Sequence, residues 1–364
     1  MSESLSMREI DALGVVIPSR RDGVRVQRLI TRLLEEAARL PHRILVVLAD
    51  DGENGTFGDG LPESDRLLVT HSQAVGPGAA RARGTQCFGD YLSTVAARTA
   101  HSWIVNLDAD VEIPADFLAT WWQAITSSTA EILSAPAHFG AGPGETPLRE
   151  EVDALGSWLW SDTFLYERFL GIVNLGGSNH AISLERCASL GGYLQPTAII
   201  DGERALVAGD DWDFGLRARI AGYVIAPTPA PIVIASPRRI VADPVGFLAG
   251  RSYEGTFAPV SEHGPKNLWP PTEPWNEIAA RGRARIVAHF LLKPLIVGIE
   301  PTGTLEWLIG DTLSRQVQEV IHRAPPNGGE WNEYRTELIA YLFTEEIFAL
   351  CGRIAQYLAG SVAP

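Results

Sequence analysis

Residues 104–110, "IVNLDAD", carry an apolar run into two aspartates one residue apart, Asp108 and Asp110. A hard divalent cation such as Mg2+ or Mn2+ takes one or two carboxylates and completes its shell with phosphate oxygens and water. With 44 acidic residues a D-x-D will also arise by chance, and Asp211-Trp212-Asp213 is a second one. The apolar lead-in sets the first pair apart. A second apolar run, "ILVVLAD", ends in Asp50-Asp51-Gly52. A carboxylate there can accept hydrogen bonds from a nucleobase or ribose, although Asp-Gly is also an ordinary turn pair. "VGPGAARARG" (75–84) joins glycines to Arg81 and Arg83 near a helix start, where backbone N–H groups and guanidinium forks suit a diphosphate. Asp210, Asp211 and Asp213 open another helix. Capping and the helix dipole favour an acid there, but three exceed what a cap needs, and a carboxylate near an acceptor hydroxyl can act as general base. The histidines show no H-e-x-x-H spacing, and neither a P-loop nor G-x-S-x-G occurs.

These groups need elements to hold them. The first half alternates between strand-like and helix-like runs: strands at 13–19, 42–50, 65–72, 102–108 and 131–137, with helices at 24–40, 78–98 and 114–125, the last with Pro114 in its first turn. Such alternation predicts an α/β fold, a mainly parallel central sheet flanked by helices. In such sheets the ligand lies beyond the carboxyl ends of the strands. The chemistry should therefore gather at residues 18–22, 50–51 and 108–110. Residues 158–173 are aromatic and apolar, a core helix or an acceptor wall, and 209–223 read as a helix ending at Gly222. Beyond about 240 the pattern changes to aromatic, proline-rich loops and then helices.

Composition narrows the partners. The net charge is −14 and the pI about 5.1, which disfavours nucleic acid. The longest greasy stretch, residues 286–299, is interrupted by His289, Lys293 and Pro294. It is too short for the ~20 residues of a membrane span, so a buried helix is expected; surface contact with a membrane stays open. The first ten residues carry no signal-peptide pattern. Three separated cysteines suit a reducing cytoplasm.

In order along the chain, "VVIPSRRD", "VVLADDGENGT", "GPGAARARG", "NLDAD", "GGSNHAISLERCASLGGY" and "GDDWDFGLRARIAGY" resemble the motifs of bacterial family-2 glycosyltransferases of the GT-A fold. The similarity covers roughly residues 13–240. Ala82 replaces a usual Asn, and Asp210 a usual Glu. The resemblance implies a hexosyltransferase that moves a sugar from a nucleotide-diphosphate sugar, UDP- or GDP-linked, to an acceptor hydroxyl, dependent on Mg2+ or Mn2+ and inverting. It implies donor contacts at Pro18, Ser19, Arg20, Asp22, Asp50, Gly78, Arg81, Asp108 and Ala109, with Asp110 as metal ligand and Asp108 as a second candidate. Asp211 would be the catalytic base. Asp210, Trp212, Asn179, Arg238 and Arg239 are candidates for acceptor or diphosphate contacts. The expected organisation is a GT-A domain over 1–240, with a nucleotide half at about 13–112 and a catalytic half at about 113–240. A mostly helical extension over 241–364 follows, and a homodimer is allowed. The alternatives are a retaining transferase, and a sugar-nucleotide nucleotidyltransferase or binding protein.

Overall fold

The computed structural model describes residues 8–20, 23–52, 60–72, 76–95, 97–140, 175, 178–194, 197–200, 203–206, 209–236, 280, 283–284, 287–300, 303–324, 337–338, 341–342 and 344–361. The chain groups into two compact units. The first comprises Met1–Glu145, Leu175–Gln195 and Asp210–Ser236; the second comprises Thr146–Asn174, Pro196–Gly209 and Pro237–Pro364. The first ends close to the expected boundary at 240, but two internal stretches group with the second. The aromatic stretch 158–173 lies outside the described residues, as do Asp22, Arg238 and Arg239.

The first unit is built on strands β1 (Ala12–Ser19), β2 (Ile44–Asp50), β3 (Leu67–His71), β4 (Ser102–Leu107), β5 (Val111–Glu112), β6 (Ile132–Ser134), β7 (Ala137–Phe139) and β8 (Asn179–Ser183). Every residue of β1, β2, β4 and β8 is buried. That is the signature of strands covered on both faces, and it explains their near-continuous apolar runs. Seven strands form one sheet in the order β11-β6-β8-β4-β1-β2-β3, with β11 at Ile225–Pro227. All pairings are parallel except those of β8 with β4 and β6. The chain runs outward through β1, β2 and β3, then returns to place β4 on the other side of β1. Such a reversal is where ligands bind in open α/β sheets, beyond the carboxyl ends of the strands. A smaller sheet, β5-β12-β7, has β12 at Val233–Ala235.

Helix α1 (Gly23–Arg39) turns Val26, Leu29, Ile30, Leu33 and Ala37 inward at helical spacing. Helix α2 (Pro77–Thr94) packs against β1, β2 and β3. Its approach is close because two facing side chains are missing. A Cβ on Gly84 would come within 2.7 Å of Val16 Cγ1, and one on Gly14 within 2.9 Å of the Phe88 ring.

Helix α3 (Phe117–Ser127) starts three residues later than expected, so Pro114 precedes it rather than occupying its first turn. The cause is Asp116, held at φ 57° and ψ 29°, a left-handed conformation that breaks the helical path. Asp116 makes no side-chain cap bond. Instead Glu36 of α1, 4% exposed, accepts hydrogen bonds from the N–H groups of Leu118 (2.7 Å) and Ala119 (3.2 Å). The expected single strand at 131–137 is two, because Pro136 stands between β6 and β7 and β7 joins the smaller sheet.

Helices α4 (Leu184–Ser189) and α5 (Asp210–Ile220) complete the helices of the first unit. In the second unit, β9 (Thr197–Ile200) and β10 (Glu203–Leu206) form an antiparallel pair. The described elements after residue 240 are a π-turn at Ala288–Leu292, α6 (Lys293–Ile296), α7 (Leu305–Arg323) and α8 (Glu345–Ser361). Residues Val287, Ala288, Leu291, Leu292 and Lys293 are buried, so the greasy stretch belongs to a core. Among the described residues no helix is long and apolar enough to cross a membrane.

The cap supplied from α1 makes a definite prediction. Glu36→Ala strands one buried and one partly buried amide and should lower stability by about 1–3 kcal/mol. Glu36→Gln, which keeps an acceptor, should lose less. Urea unfolding followed by circular dichroism reads both; equal losses would refute the capping role.

Candidate active site

All the residues described here belong to the first unit. Register aligns the polar strand ends, because Ser19 of β1 pairs with Asp50 of β2. Pro18 and Ser19 are the last residues of β1, and Arg20 follows half-buried. Ser19 is 5% exposed, and its Oγ is a buried hydroxyl with no hydrogen-bond partner among the described residues. Asp50 is wholly buried; its Oδ1 accepts from Gly52 N–H at 2.9 Å, and its Oδ2 lies 3.3 Å from His71 Nδ1. The turn reading of Asp-Gly is therefore realised in the backbone. Asp51 ties down the way into α2: its carboxylate accepts from Ser72 Oγ at 2.6 Å and from Gly76 N–H at 2.9 Å, while its own N–H donates to Ser19 O at 2.7 Å.

The connection after β4 separates the two aspartates of the D-x-D. On a continuing strand residues two apart share a face. Here the chain turns at Ala109-Asp110. Asp108 meets Arg81 of α2, whereas Asp110 lines a cleft beside α1. Ala109 between them is buried.

Arg81 is the node. It is 3% exposed, and its guanidinium donates to the carboxylates of both Asp108 and Asp210. Burial alone would lower its pKa; Asp210, Asp108 and Asp211 outweigh that and hold it above the usual arginine range. The first turns of α2 and α5 touch, and Gly78 allows it: a Cβ there would lie 2.2 Å from Leu194 O and 2.8 Å from Asp210 Cβ. Gly78 and Arg81, expected on the donor diphosphate, thus pack the two helix starts together.

The three acids that open α5 have three different surroundings. Asp210 is 6% exposed and paired with Arg81. Asp213 is 1% exposed and accepts from Arg217 Nε at 2.9 Å; Arg217 also donates to Leu190 O and, at 2.8 Å, to Gly192 O. Asp211 is only half-buried, and its Oδ1 accepts from Trp212 N–H at 2.8 Å. Burial raises its pKa first and the neighbouring Asp210 raises it further, with Arg81 pulling the other way, to about 7. The surface it keeps in contact with solvent gives a hydroxyl group a path to it.

Below this cluster lies a polar network that the sequence did not disclose. Asn106 of β4 and His180 of β8 are cross-strand partners. Both reach the Tyr193 hydroxyl: Asn106 Nδ2 donates to it at 2.8 Å, and His180 Nε2 lies 2.6 Å away. The Tyr193 ring stacks on Phe214 of α5 at 4.6 Å between centroids. Burial holds its phenol well above the ordinary range. Asn179, expected near acceptor or diphosphate, is 1% exposed and commits its amide elsewhere. It donates to Pro136 O (2.9 Å) and Pro231 O (2.7 Å) and accepts from Trp121 Nε1 (3.1 Å).

Among the described residues no cluster of three or more His, Cys, Asp or Glu side chains could enclose a metal ion. Two hard carboxylates in sequence suit a cation whose other ligands come from phosphate and water. With Asp108 drawn to Arg81, Asp110 is the better placed of the two.

No family model matches this chain, and no curated protein matches it. Solved structures of similar outline include mannosyl-3-phosphoglycerate synthase from Rubrobacter xylanophilus, 20% identical with a TM-score of 0.31 over 48% of this chain; the chain spans about half, 54%, of that protein. S. aureus TarS 1–349 in complex with UDP-GlcNAc is 12% identical, with a TM-score of 0.41 over 93% of this chain and 90% of the other. The mannosyltransferase PcManGT from Pyrobaculum calidifontis, in complex with GDP-Man and Mn2+, is 14% identical, with a TM-score of 0.40 over 100% and 92%. Similarity of this degree assigns neither activity nor substrate to the chain.

Proposed function

We propose that this protein is a glycosyltransferase of the GT-A type that moves a hexosyl group from a UDP- or GDP-sugar to an acceptor hydroxyl with inversion. One observation carries the reading. Arg81 joins the first aspartate of a D-x-D at a strand's carboxyl end to the acidic start of α5, which brings Asp211 to the same edge of the sheet. The motif order along the chain supports the same reading.

In this reading the donor nucleotide lies over the ends of β1 and β2, where the buried Ser19 hydroxyl has no hydrogen-bond partner among the described residues. Asp110, with Asp108 second, would hold Mg2+ or Mn2+, which when bound neutralises charge on the diphosphate. Asp211 accepts the acceptor's proton as the hydroxyl oxygen forms its bond to the anomeric carbon. The bond from that carbon to the diphosphate oxygen breaks, and the electron pair leaves with the nucleoside diphosphate. Attack opposite the leaving group inverts the centre. A base with a pKa near the working pH combines a deprotonated population with useful basicity, an effect of about 10²–10⁴-fold. The described cysteines, Cys87, Cys187 and Cys351, are free thiols, which suits a reducing cytoplasm.

Nucleotide release from a panel of UDP- and GDP-sugars tests the activity, and Asp211→Asn tests the base. Turnover should fall by about 10²-fold or more while nucleotide affinity holds; undiminished turnover would remove Asp211 from the mechanism. The same variant should be more stable above pH 7. Because the folded-state pKa is raised, folded protein retains a proton that the unfolded chain has lost, so stability declines from about pH 4 to 7. Removing the group should recover about 1–3 kcal/mol at pH 8 and almost none at pH 4. For the wild type, kcat/KM should rise with pH through about 7 as Asp211 ionises; a profile flat from pH 5.5 to 8.5 would contradict this. Asp110→Ala should weaken Mn2+ binding in the presence of nucleoside diphosphate by about tenfold or more in a calorimetric titration.

A further inference from the structure

Helix α5 is fastened along one stripe. Asp210 and Phe214 stand four residues apart and therefore share a face. At one end of the stripe Asp210 meets Arg81 of α2. One turn on, the Phe214 ring stacks on Tyr193 at 4.6 Å between centroids, and both side chains are buried. The Arg217 guanidinium also stands over the Phe214 ring, 5.2 Å from its centroid, while it donates to Leu190 O and Gly192 O in the turn before Tyr193.

Tyr193 is held to the sheet at its far end. Its hydroxyl accepts from Asn106 Nδ2 at 2.8 Å, which leaves its own proton for His180 Nε2 at 2.6 Å. Asn106 lies on β4, two residues before Asp108. A chain of contacts thus runs from just below Asp108 through Tyr193 to α5, alongside the one through Arg81. One anchor leaves a helix free to turn about it, whereas two anchors a turn apart fix its rotation. Neighbouring residues on a helix point about 100° apart, so a turn of one residue would put Asp210 or Trp212 where Asp211 stands.

The ring stack alone does not need a hydroxyl, since phenylalanine would supply it. Nor is this network the most stable filling of the layer: Asn106 Oδ1 is buried with no hydrogen-bond partner among the described residues, and an unsatisfied buried acceptor costs free energy. What the hydrogen bonds add is direction and distance, where apolar packing lets one layer slide on another.

We propose that Tyr193 is a positioning residue of the transfer step: its hydroxyl, held by Asn106 and His180, sets the rotation of α5 and with it the line along which the Asp211 carboxylate meets the acceptor hydroxyl. This role rests on the transferase reading. Tyr193 is 2% exposed; it acts through α5 and not on the substrate.

The test uses two variants of the full-length protein, each checked for folding by circular dichroism. Tyr193→Phe keeps the ring stack and loses the hydroxyl. Asn106→Leu removes the donor and the unsatisfied oxygen together at a similar side-chain size, and it decides the matter if Tyr193→Phe does not fold. In each, kcat with the sugar nucleotide that the wild type uses should fall about tenfold or more. Affinity for UDP or GDP should stay within about twofold. The melting temperature of Asn106→Leu should equal or exceed that of the wild type; a merely structural role predicts that kcat is lost only in step with stability. Amide hydrogen exchange in the first turns of α5 should quicken by about tenfold while that of α2 is unchanged. Undiminished kcat in the folded variants, or nucleotide affinity that falls as far as kcat, overturns the positioning role and leaves the transferase reading standing. A wild type that releases nucleotide from no sugar donor overturns both.

Discussion

A buried guanidinium between two carboxylates organises the acidic edge of the sheet. Arg81 comes from α2, Asp108 from the end of β4, and Asp210 from the start of α5. Taking one such charge out of water is expensive, and only close, hydrogen-bonded opposite charges offset it. Arg81 therefore does not tolerate loose geometry around it. Once α2 is seated on β1–β3, Asp108 and Asp210 must come to the guanidinium, and the glycine at position 78 removes the one side chain that would hold the two helix starts apart.

That constraint sorts the acids. Asp210 neutralises Arg81, and Asp213 holds Arg217, which in turn braces the turn at Leu190–Gly192. Asp211 sits beside these pairs, and burial together with the field of Asp210 disfavours its charge, with Arg81 pulling the other way. Beside it, the Tyr193 hydroxyl meets Asn106 and His180 from adjacent strands while the Tyr193 ring stacks on Phe214 of α5, which ties that helix to the sheet.

The strand ends were legible because a strand buried on both faces must be apolar throughout, and its polar exit then stands out. "LGVVIPS", "ILVVLAD" and "IVNLDAD" all declare themselves in this way. The start of α3 was not legible. Pro114 signals a first helical turn, but the helix begins only after the left-handed Asp116, because Glu36, eighty residues upstream, supplies the acceptor for its amides. No local window contains that partner. The role of Asn179 was hidden for the same reason: its three hydrogen bonds reach Trp121, Pro136 and Pro231.

By itself the sequence determined the alternation of strands and helices, the mainly parallel sheet and the three polar strand exits, because hydrophobic periodicity and turn chemistry are local properties. Tertiary structure alone decided which acid does what. Asp210, Asp211 and Asp213 are the same side chain within four positions, and only the distance of each from Arg81 and Arg217, with the water left to it, tells them apart. It likewise parted Asp108 from Asp110, sending one to Arg81 of α2 and the other into the cleft beside α1, since a turn's direction depends on what packs against it.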